Sequence, residues 1–205
     1  YDADATKVTV TFDNVTKPDG TIIVEDNGSG MTFEDIDKGW MRVAYSDKLA
    51  RNKSRRFCRP LTGAKGIGRF ACRRLAKKLT VISVAKRNDG SKERIRVRFN
   101  WEDFQSGKSL SEIPVTYERA AIAEDEQTGV TLRLEQTREK WDKDDVAALQ
   151  RDLLSLVSPF PEDQVTTKTT SSECEYDAGF SFALLTPEFP DQSGSLSDTF
   201  LGRAW

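Results

Sequence analysis

Several short segments of this chain alternate apolar with polar residues, and this alternation constrains the fold most. The pattern runs over residues 8–12 and returns at 95–99 and 130–134. A period of two is typical of strands with one buried and one exposed face. A Pro-Asp-Gly turn at 18–20 leads into a second strand at 21–24, which predicts an antiparallel hairpin. The chain is therefore expected to build on an antiparallel sheet.

Other segments show helical spacing. Apolar residues recur every three or four positions over 67–79 and again over 146–157, where the helix is expected to stop before Pro159. Thr32 precedes two acids and is typical of a helix start. Further strands are predicted at 79–85, 115–117 and 180–184. The sum is an α+β fold, a two-layer sandwich with helices on one face of a mostly antiparallel sheet.

The chain is long enough for one domain and the start of a second. We predict a domain over residues 1–159, followed by a linker and the beginning of a further domain over 160–205. The stretch from about Tyr45 to Lys65 lacks periodicity and contains Pro60 and Gly63. It is predicted to be a long loop, and long loops in compact domains are usually functional.

Composition excludes several kinds of site. The chain has no histidine, so catalysis by a Ser-His-Asp or Cys-His arrangement is excluded within it. Its three cysteines, Cys58, Cys72 and Cys174, are odd in number and far apart, which argues against a disulfide framework and a structural zinc site. No apolar run is long enough to cross a bilayer. We therefore predict a cytoplasmic protein with no membrane partner.

The net charge of -2 conceals a strongly basic region. Lysines and arginines crowd the stretch from Arg42 to Lys78, in which Asp47 is the single acid. Such a region attracts polyanions, either a triphosphate or a nucleic acid backbone. A solvated basic face remains the alternative for most of these side chains taken singly.

The first candidate site is the run Asp-Asn-Gly-Ser-Gly-Met at 26–31, where the second strand ends. A carboxylate at Asp26 can accept a hydrogen bond from an exocyclic amine such as that of adenine. Gly28 and Gly30 would let the backbone approach a flat base. On its own, the run is equally typical of an ordinary turn.

The second candidate site is the glycine loop at 63–68, which opens the predicted helix at 67–79. Free backbone N–H groups and the helix dipole favour phosphate there, and Lys65 adds positive charge. A P-loop is excluded, because Arg69-Phe70 stands where that motif needs Lys and Ser or Thr. A dinucleotide fingerprint is excluded too, because a basic loop and not a strand precedes the glycines.

The order of these motifs resembles the GHKL superfamily, which includes gyrase-type topoisomerases, the large heat-shock chaperone, histidine kinases and MutL. The resemblance rests on Asp-Asn-Gly-x-Gly-Met, a long loop, Gly-x-x-Gly-x-Gly-Arg-Phe, a helix, and Thr-Gly-x-Thr-x-Leu, and covers residues 1 to about 159. It implies the Bergerat fold, which holds ATP and Mg²⁺ under a mobile lid. Residues 45–65 would form that lid.

The resemblance also implies which residues bind nucleotide. Asp26 would hold the adenine amine, with Gly28, Gly30 and Met31 shaping the base pocket and Thr131 supporting it from a neighbouring strand. A strand threonine that faces outward is the alternative for Thr131. The phosphates would be held by the second motif. The implied nucleotide-binding set is Asp2, Asp26, Gly28, Gly30, Met31, Lys65, Gly66, Ile67, Gly68, Arg69, Phe70 and Thr131.

One part of the family pattern is not found in the sequence. Family members carry a helix with a Glu that activates water and an Asn that binds magnesium, ending in a segment similar to residues 1–6. The Glu and Asn are thus expected before Tyr1. We expect this chain alone to bind ATP without turnover, and assign it no catalytic residue and no metal ligand.

Three functions remain open. The first is an ATPase that couples ATP or ADP binding to lid closure and homodimerisation and acts on nucleic acid or protein clients, closest in layout to the MORC and heat-shock-chaperone branches. The second is a histidine kinase catalytic domain. The third is a nucleotide-regulated binding module that does not hydrolyse ATP.

Overall fold

The computed structural model describes residues 1–40, 53–61, 68–103, 115–154, 174–177 and 179–195. Residues 63–67 of the glycine loop, which include Gly63, Lys65, Gly66 and Ile67, lie outside these residues. The predicted lid at 45–65 is described only over 53–61.

Eight strands form a single sheet in the order β5-β4-β3-β6-β2-β1-β7-β8. Their bounds are β1 Lys7–Asp13, β2 Thr21–Asp26, β3 Ala76–Lys86, β4 Lys92–Asn100, β5 Thr116–Ile122, β6 Gly129–Thr137, β7 Ser181–Leu185 and β8 Gly194–Ser195. Neighbouring strands are antiparallel except β1 and β7, which are parallel. The predicted α+β fold with a mostly antiparallel sheet is confirmed.

Three α-helices accompany the sheet in the part of the chain that the structure describes. They are α1 Phe33–Asp35, which continues as a π-helical turn over Ile36–Trp40, α2 Gly68–Leu75, and α3 Lys143–Leu154. Each helical segment buries one side chain in the same cluster as the inner residues of the strands, namely Ile36, Cys72 and Val146. The helices therefore cover the face of the sheet that carries Phe12 and Leu79.

In the hairpin of β1 and β2, the alternation of apolar and polar residues decides which side chains lie on the helix-covered face. Val10 lies opposite Val24, and Phe12 lies opposite Ile22. Phe12 and Ile22 are buried, whereas the threonines between the inner residues of β1 lie on the other face. Because successive side chains of a strand point to opposite faces, the period of two fixes the register of the hairpin.

The predicted helix over 67–79 is wrong at its C-terminal end. Helix α2 ends at Leu75, and β3 begins at the next residue, Ala76. Leu79 is fully buried and pairs with Phe99 and Leu134 in the sheet. Leu79 lies four positions after Leu75, which fits a helix, and two positions before Val81, which fits a strand. The spacing of apolar residues therefore could not show where the helix ends and the strand begins.

The strand predicted at 180–184 forms, but it joins a different sheet from the one expected. Strand β7 was expected to open a following domain, but it pairs with β1 and extends the same sheet, with Val10 opposite Leu184. Strand β8 pairs with β7. The described part of 179–195 therefore packs with the preceding residues, and the boundary at residue 159 remains a prediction.

Candidate functional site

Asp26 is the last residue of β2 and lies on the helix-covered face of the sheet. It is opposite Val130, which is itself opposite the buried Ser83. The Oδ1 atom of Asp26 accepts a hydrogen bond from the Gly28 N–H at 2.8 Å. Burial raises the pKa of Asp26, and its backbone hydrogen bonds, from Gly28 and Val130, lower it by less. The site therefore contains a carboxylate that is held in place and poorly solvated.

The glycines after Asp26 permit close packing against other backbone segments. Gly30 has a φ of 68°, and a Cβ there would lie 2.0 Å from the carbonyl oxygen of Val84. A Cβ on Gly28 would lie 2.7 Å from the carbonyl oxygen of Ala3. Both positions therefore need glycine because the protein itself occupies the space that a side chain would take.

Met31 is held by Ser83, a residue that the sequence analysis missed. The Ser83 hydroxyl accepts a hydrogen bond from the Met31 N–H at 2.7 Å and donates one to the Met31 carbonyl oxygen at 2.8 Å. These bonds fasten the end of the Asp26 run to β3. A serine among apolar strand residues is the signal that could have indicated it, since a buried hydroxyl requires a partner.

Asn27 joins the run to the N-terminal segment, residues 1–6. Its Oδ1 atom accepts the N–H groups of Thr6 and Lys7, both at 2.9 Å. The Ser29 N–H donates to the carbonyl oxygen of Ala3 at 2.8 Å. Asp2, which was predicted to bind nucleotide, lies in this segment next to Ala3. The structure thus brings the N-terminal segment directly against the Asp26 run.

Glu93 positions the helix that follows the run. Its side chain is buried, accepts the Phe33 N–H at 3.1 Å, and pairs with Arg119. The guanidinium of Arg119 lies 5.3 Å from the centre of the Phe33 ring. The alternation of β4 predicts that Glu93 points inward, but its partners come from distant segments and could not be identified from sequence.

The predicted role of Thr131 needs correction. Thr131 pairs with Glu25 and Ile82, whereas Asp26 pairs with Val130. Because neighbouring residues of a strand point to opposite faces, the Thr131 side chain lies on the face opposite Asp26. The threonine was assigned one position too far along β6, and Val130 is the β6 residue that shares the face of Asp26.

The second motif is described only in part. Gly68 is the first residue of α2, which confirms that a helix follows the glycines, and Arg69 and Phe70 belong to its first turn. The first N–H groups of a helix lack intrahelical partners and favour anions. Whether Lys65, Gly66 and Ile67 share in this site remains a prediction, because they lie outside the described residues.

Residues 53–61, here called the basic segment, contact the N-terminal segment. Both carboxylate oxygens of Asp4 accept backbone N–H groups, from Arg56 at 2.9 Å and from Phe57 at 3.2 Å. Arg59 is buried, donates to the carbonyl oxygen of Ala5, and lies 5.0 Å from the centre of the Tyr1 ring. The part of the predicted lid that the structure describes is thus held against the N-terminal segment, which itself contacts the Asp26 run.

Residues 174–177, here called the acidic segment, contact the basic segment through ion pairs and a disulfide. Arg59 makes a two-point ion pair with Asp177, whose pKa that contact lowers, and Arg56 pairs with Glu175 at 2.6 Å. Cys58 and Cys174 form a disulfide with Cα atoms 5.9 Å apart. The expectation that the cysteines would not form a disulfide is wrong, because folding brings together two residues 116 positions apart.

Among the described residues, no group of three or more His, Cys, Asp or Glu side chains could hold a metal ion. None of the helices that the structure describes is long and apolar enough to cross a membrane.

Comparison with known proteins identifies the family. A family model described as histidine kinase-, DNA gyrase B-, and HSP90-like ATPase matches residues 1–128 of the 205. The chain therefore belongs to the GHKL ATPase family. The match includes the Asp26 run, the glycine loop and α2, and it confirms the resemblance inferred from their order. A search of curated proteins finds no match.

Proposed function

We propose that this GHKL domain binds ATP with the adenine amine donating to the Asp26 carboxylate. Family membership makes it an ATP-binding domain of an ATPase, and the position of Asp26 is the observation that supports the assignment. The carboxylate lies on the helix-covered face at a strand end, where the backbone N–H groups of Gly28 and Val130 donate to it. A carboxylate can accept more than two hydrogen bonds, so an amine donor can be added.

The phosphates belong, in this proposal, at the start of α2. Gly68 opens the helix, and Lys65, the basic residue of the glycine loop, precedes it in sequence. Backbone N–H groups and the helix dipole supply the attraction for a triphosphate. Lys65, Gly66, Ile67, Arg69 and Phe70 are proposed phosphate-loop residues on the strength of the family resemblance.

Mg²⁺ would accompany the phosphates and neutralise their charge. Mg²⁺ is usually bound through one or two protein ligands together with the phosphates of its substrate. The family resemblance assigns water activation to a Glu and magnesium binding to an Asn, and neither role is assigned to a residue of this sequence. Lid closure, homodimerisation and action on a nucleic acid or protein client complete the proposal for the parent protein.

The substitution Asp26→Asn tests the adenine assignment. It keeps the size of the side chain and its bond from Gly28 but removes the charge. We expect ATP to bind at least about tenfold more weakly in calorimetry, because a hydrogen bond to a charged group contributes about 1.5–3 kcal/mol. Glu25→Gln is the matched control, since Glu25 is the adjacent residue on the opposite face. Equal affinity in Asp26→Asn and wild type would show that adenine binds elsewhere.

Hydrolysis is tested separately. We expect the parent protein that carries the predicted Glu and Asn to release phosphate from ATP in the presence of Mg²⁺. Tight ATP binding without phosphate release would instead support the binding module that does not hydrolyse ATP.

A further inference from the structure

The disulfide between Cys58 and Cys174 connects a segment inside the family match to a segment outside it. The family match covers residues 1–128 and therefore includes the first cysteine but not the second. Two ion pairs accompany the disulfide, Arg59 with Asp177 and Arg56 with Glu175. The Glu175 N–H also donates to the Arg56 carbonyl oxygen, and an Arg59 guanidinium nitrogen donates to the Gly179 carbonyl oxygen. The link is thus part of an organised contact between the basic and acidic segments.

A short series of contacts leads from this disulfide to the Asp26 run. Phe57, next to Cys58, donates its N–H to Asp4. Asp4 follows Ala3, whose carbonyl oxygen accepts the Ser29 N–H. The basic segment also leads along the chain toward α2, where the phosphates are proposed to bind. The disulfide therefore fastens a segment that contacts the N-terminal segment beside the Asp26 run and lies, in sequence, between that run and α2.

The disulfide is open to attack by an external thiol. Cys174 is exposed and Cys58 is half-buried. Cys58 has a φ of 56°, a left-handed conformation that side chains other than glycine rarely adopt. Its neighbours in sequence include Arg55, Arg56 and Arg59, and positive charge stabilises a departing thiolate. Access and a good leaving group are what rapid thiol–disulfide exchange requires.

We propose that the Cys58–Cys174 disulfide is a redox-modification site through which a dithiol lowers the affinity of the nucleotide site. This inference rests on the proposed function, since it assigns regulation to the same site. With the disulfide intact, the basic segment is held against the N-terminal segment and the site is preorganised. After reduction, the ion pairs and hydrogen bonds still hold the basic segment, but its covalent link to the acidic segment is lost, so part of the binding energy is spent on ordering it.

The reaction balances with a dithiol as the reductant. One thiolate of the dithiol attacks the sulfur of Cys174, the bond between Cys174 and Cys58 breaks, and Cys58 leaves as a thiolate that takes a proton from water. The second thiol, after losing its proton, attacks the mixed disulfide and releases Cys174. Two electrons pass to the protein, two cysteine thiols form, and the dithiol becomes a cyclic disulfide.

The test compares ATP binding by the full chain before and after reduction with dithiothreitol, using calorimetry. We expect the reduced form to bind ATP at least about fivefold more weakly, the lower end of typical coupling between sites. Cys174→Ser is expected to bind as the reduced form does and not to respond to dithiothreitol. Cys72→Ser is the matched control: Cys72 is a free cysteine, so this variant should keep the response. Circular dichroism verifies that each form is folded.

A second measurement tests the reverse effect, that of bound ATP on the reduction potential of the disulfide. If the disulfide form binds ATP more tightly, saturating ATP must make the disulfide harder to reduce by the same factor. A fivefold ratio corresponds to a shift of about 20 mV in the potential of this two-electron couple. We expect this shift when the protein is titrated in dithiothreitol redox buffers with and without ATP.

The outcomes separate the two proposals. Equal or tighter ATP binding by the reduced form, or an unchanged potential, overturns the redox inference and leaves the proposed function standing. If neither form binds ATP, the proposed function fails, and the redox inference fails with it.

Discussion

At the scale of single residues, Asp26 shows a conflict between ligand binding and stability. Burial raises the pKa of this carboxyl group, so the folded protein holds its proton more tightly than the unfolded chain does. As pH rises from the ordinary Asp pKa of about 3.9 through the raised folded value, ionisation favours the unfolded chain. A group kept for binding an amine therefore lowers the stability of the free domain at neutral pH.

This conflict predicts that Asp26→Asn stabilises the protein while weakening ATP binding. Asn fits the same space and does not ionise, so the variant avoids the cost of a poorly solvated charge. We expect its melting temperature to exceed that of wild type, by a difference that grows as pH rises from about 4 to neutrality. Thermal unfolding across this range measures it, and a variant less stable than wild type at neutral pH would contradict the argument.

The glycines give a second prediction at this scale. Gly30→Ala would bring a Cβ to 2.0 Å from the Val84 carbonyl oxygen, in addition to strain at a φ of 68°. Gly90→Ala is the control, because Gly90 has a φ of 88° but nothing near its missing Cβ. We expect Gly90→Ala to cost about 1–2 kcal/mol from backbone strain alone and Gly30→Ala clearly more. Urea unfolding would refute this if the two variants were equally stable.

How far the site follows from sequence also differs residue by residue. Asp26 and Gly30 could be selected because a strand end, a carboxylate and closely spaced glycines occur together in the sequence. The contacts of Ser83 with Met31 and of Glu93 with Phe33 could not be predicted, because each joins residues more than 50 positions apart. Thr131 was misplaced because a shift of one residue reverses the face of a strand, and only the register with β2 reveals that shift.

At the scale of elements, the start of α1 depends on a local signal. Thr32 caps the helix by accepting the Asp35 N–H at 3.2 Å, and the Asp35 carboxylate accepts the Thr32 N–H at 2.9 Å. Such a reciprocal pair lies within four residues, so the helix start at Thr32 could be predicted from sequence. The boundary between α2 and β3 could not, because pairing with β4 and β6 decides it.

The cap predicts a graded effect of substitution. Thr32→Ala removes the side-chain acceptor and should lower the free energy of unfolding by about 1 kcal/mol. Thr32→Ser retains the hydroxyl and should stay close to wild type. Chemical denaturation of the three proteins is the measurement, and equal stability of the Ala and Ser variants would mean that the cap contributes nothing.

At the scale of the whole molecule, Arg59 joins three segments that are distant in sequence. Its guanidinium contacts the carbonyl oxygen of Ala5, the carboxylate of Asp177 and the ring of Phe57. The side chain of Arg59 is only 2% exposed, whereas that of Arg56, which pairs with Glu175, is 57% exposed. This difference in burial allows the two ion pairs to be compared directly.

We expect Asp177→Ala to lower the free energy of unfolding by about 3–5 kcal/mol, because it leaves the buried Arg59 without its carboxylate. Glu175→Ala should cost less than about 1 kcal/mol, as is typical of exposed pairs. Urea unfolding with the disulfide intact in all proteins measures both. Similar losses in the two variants would show that burial does not distinguish the pairs.

The same pair predicts an acid-dependent loss of stability. Hydrogen bonding to Arg59 lowers the pKa of Asp177, so its contribution is complete above the ordinary Asp pKa of about 3.9 and is lost as pH falls through the lower folded value. The melting temperatures of wild type and Asp177→Asn should therefore converge in acid below about pH 4. A constant difference down to pH 2 would contradict this assignment.

The parallel pairing of β1 with β7 has a consequence for how the chain is made. During synthesis β1 and β2 can pair early, but the other edge of β1 has no partner until Ser181–Leu185 has left the ribosome. An open strand edge is a template for pairing with other chains. A growing chain therefore keeps one edge of β1 open to aggregation until β7, which lies far later in the sequence, has been made and covers that edge.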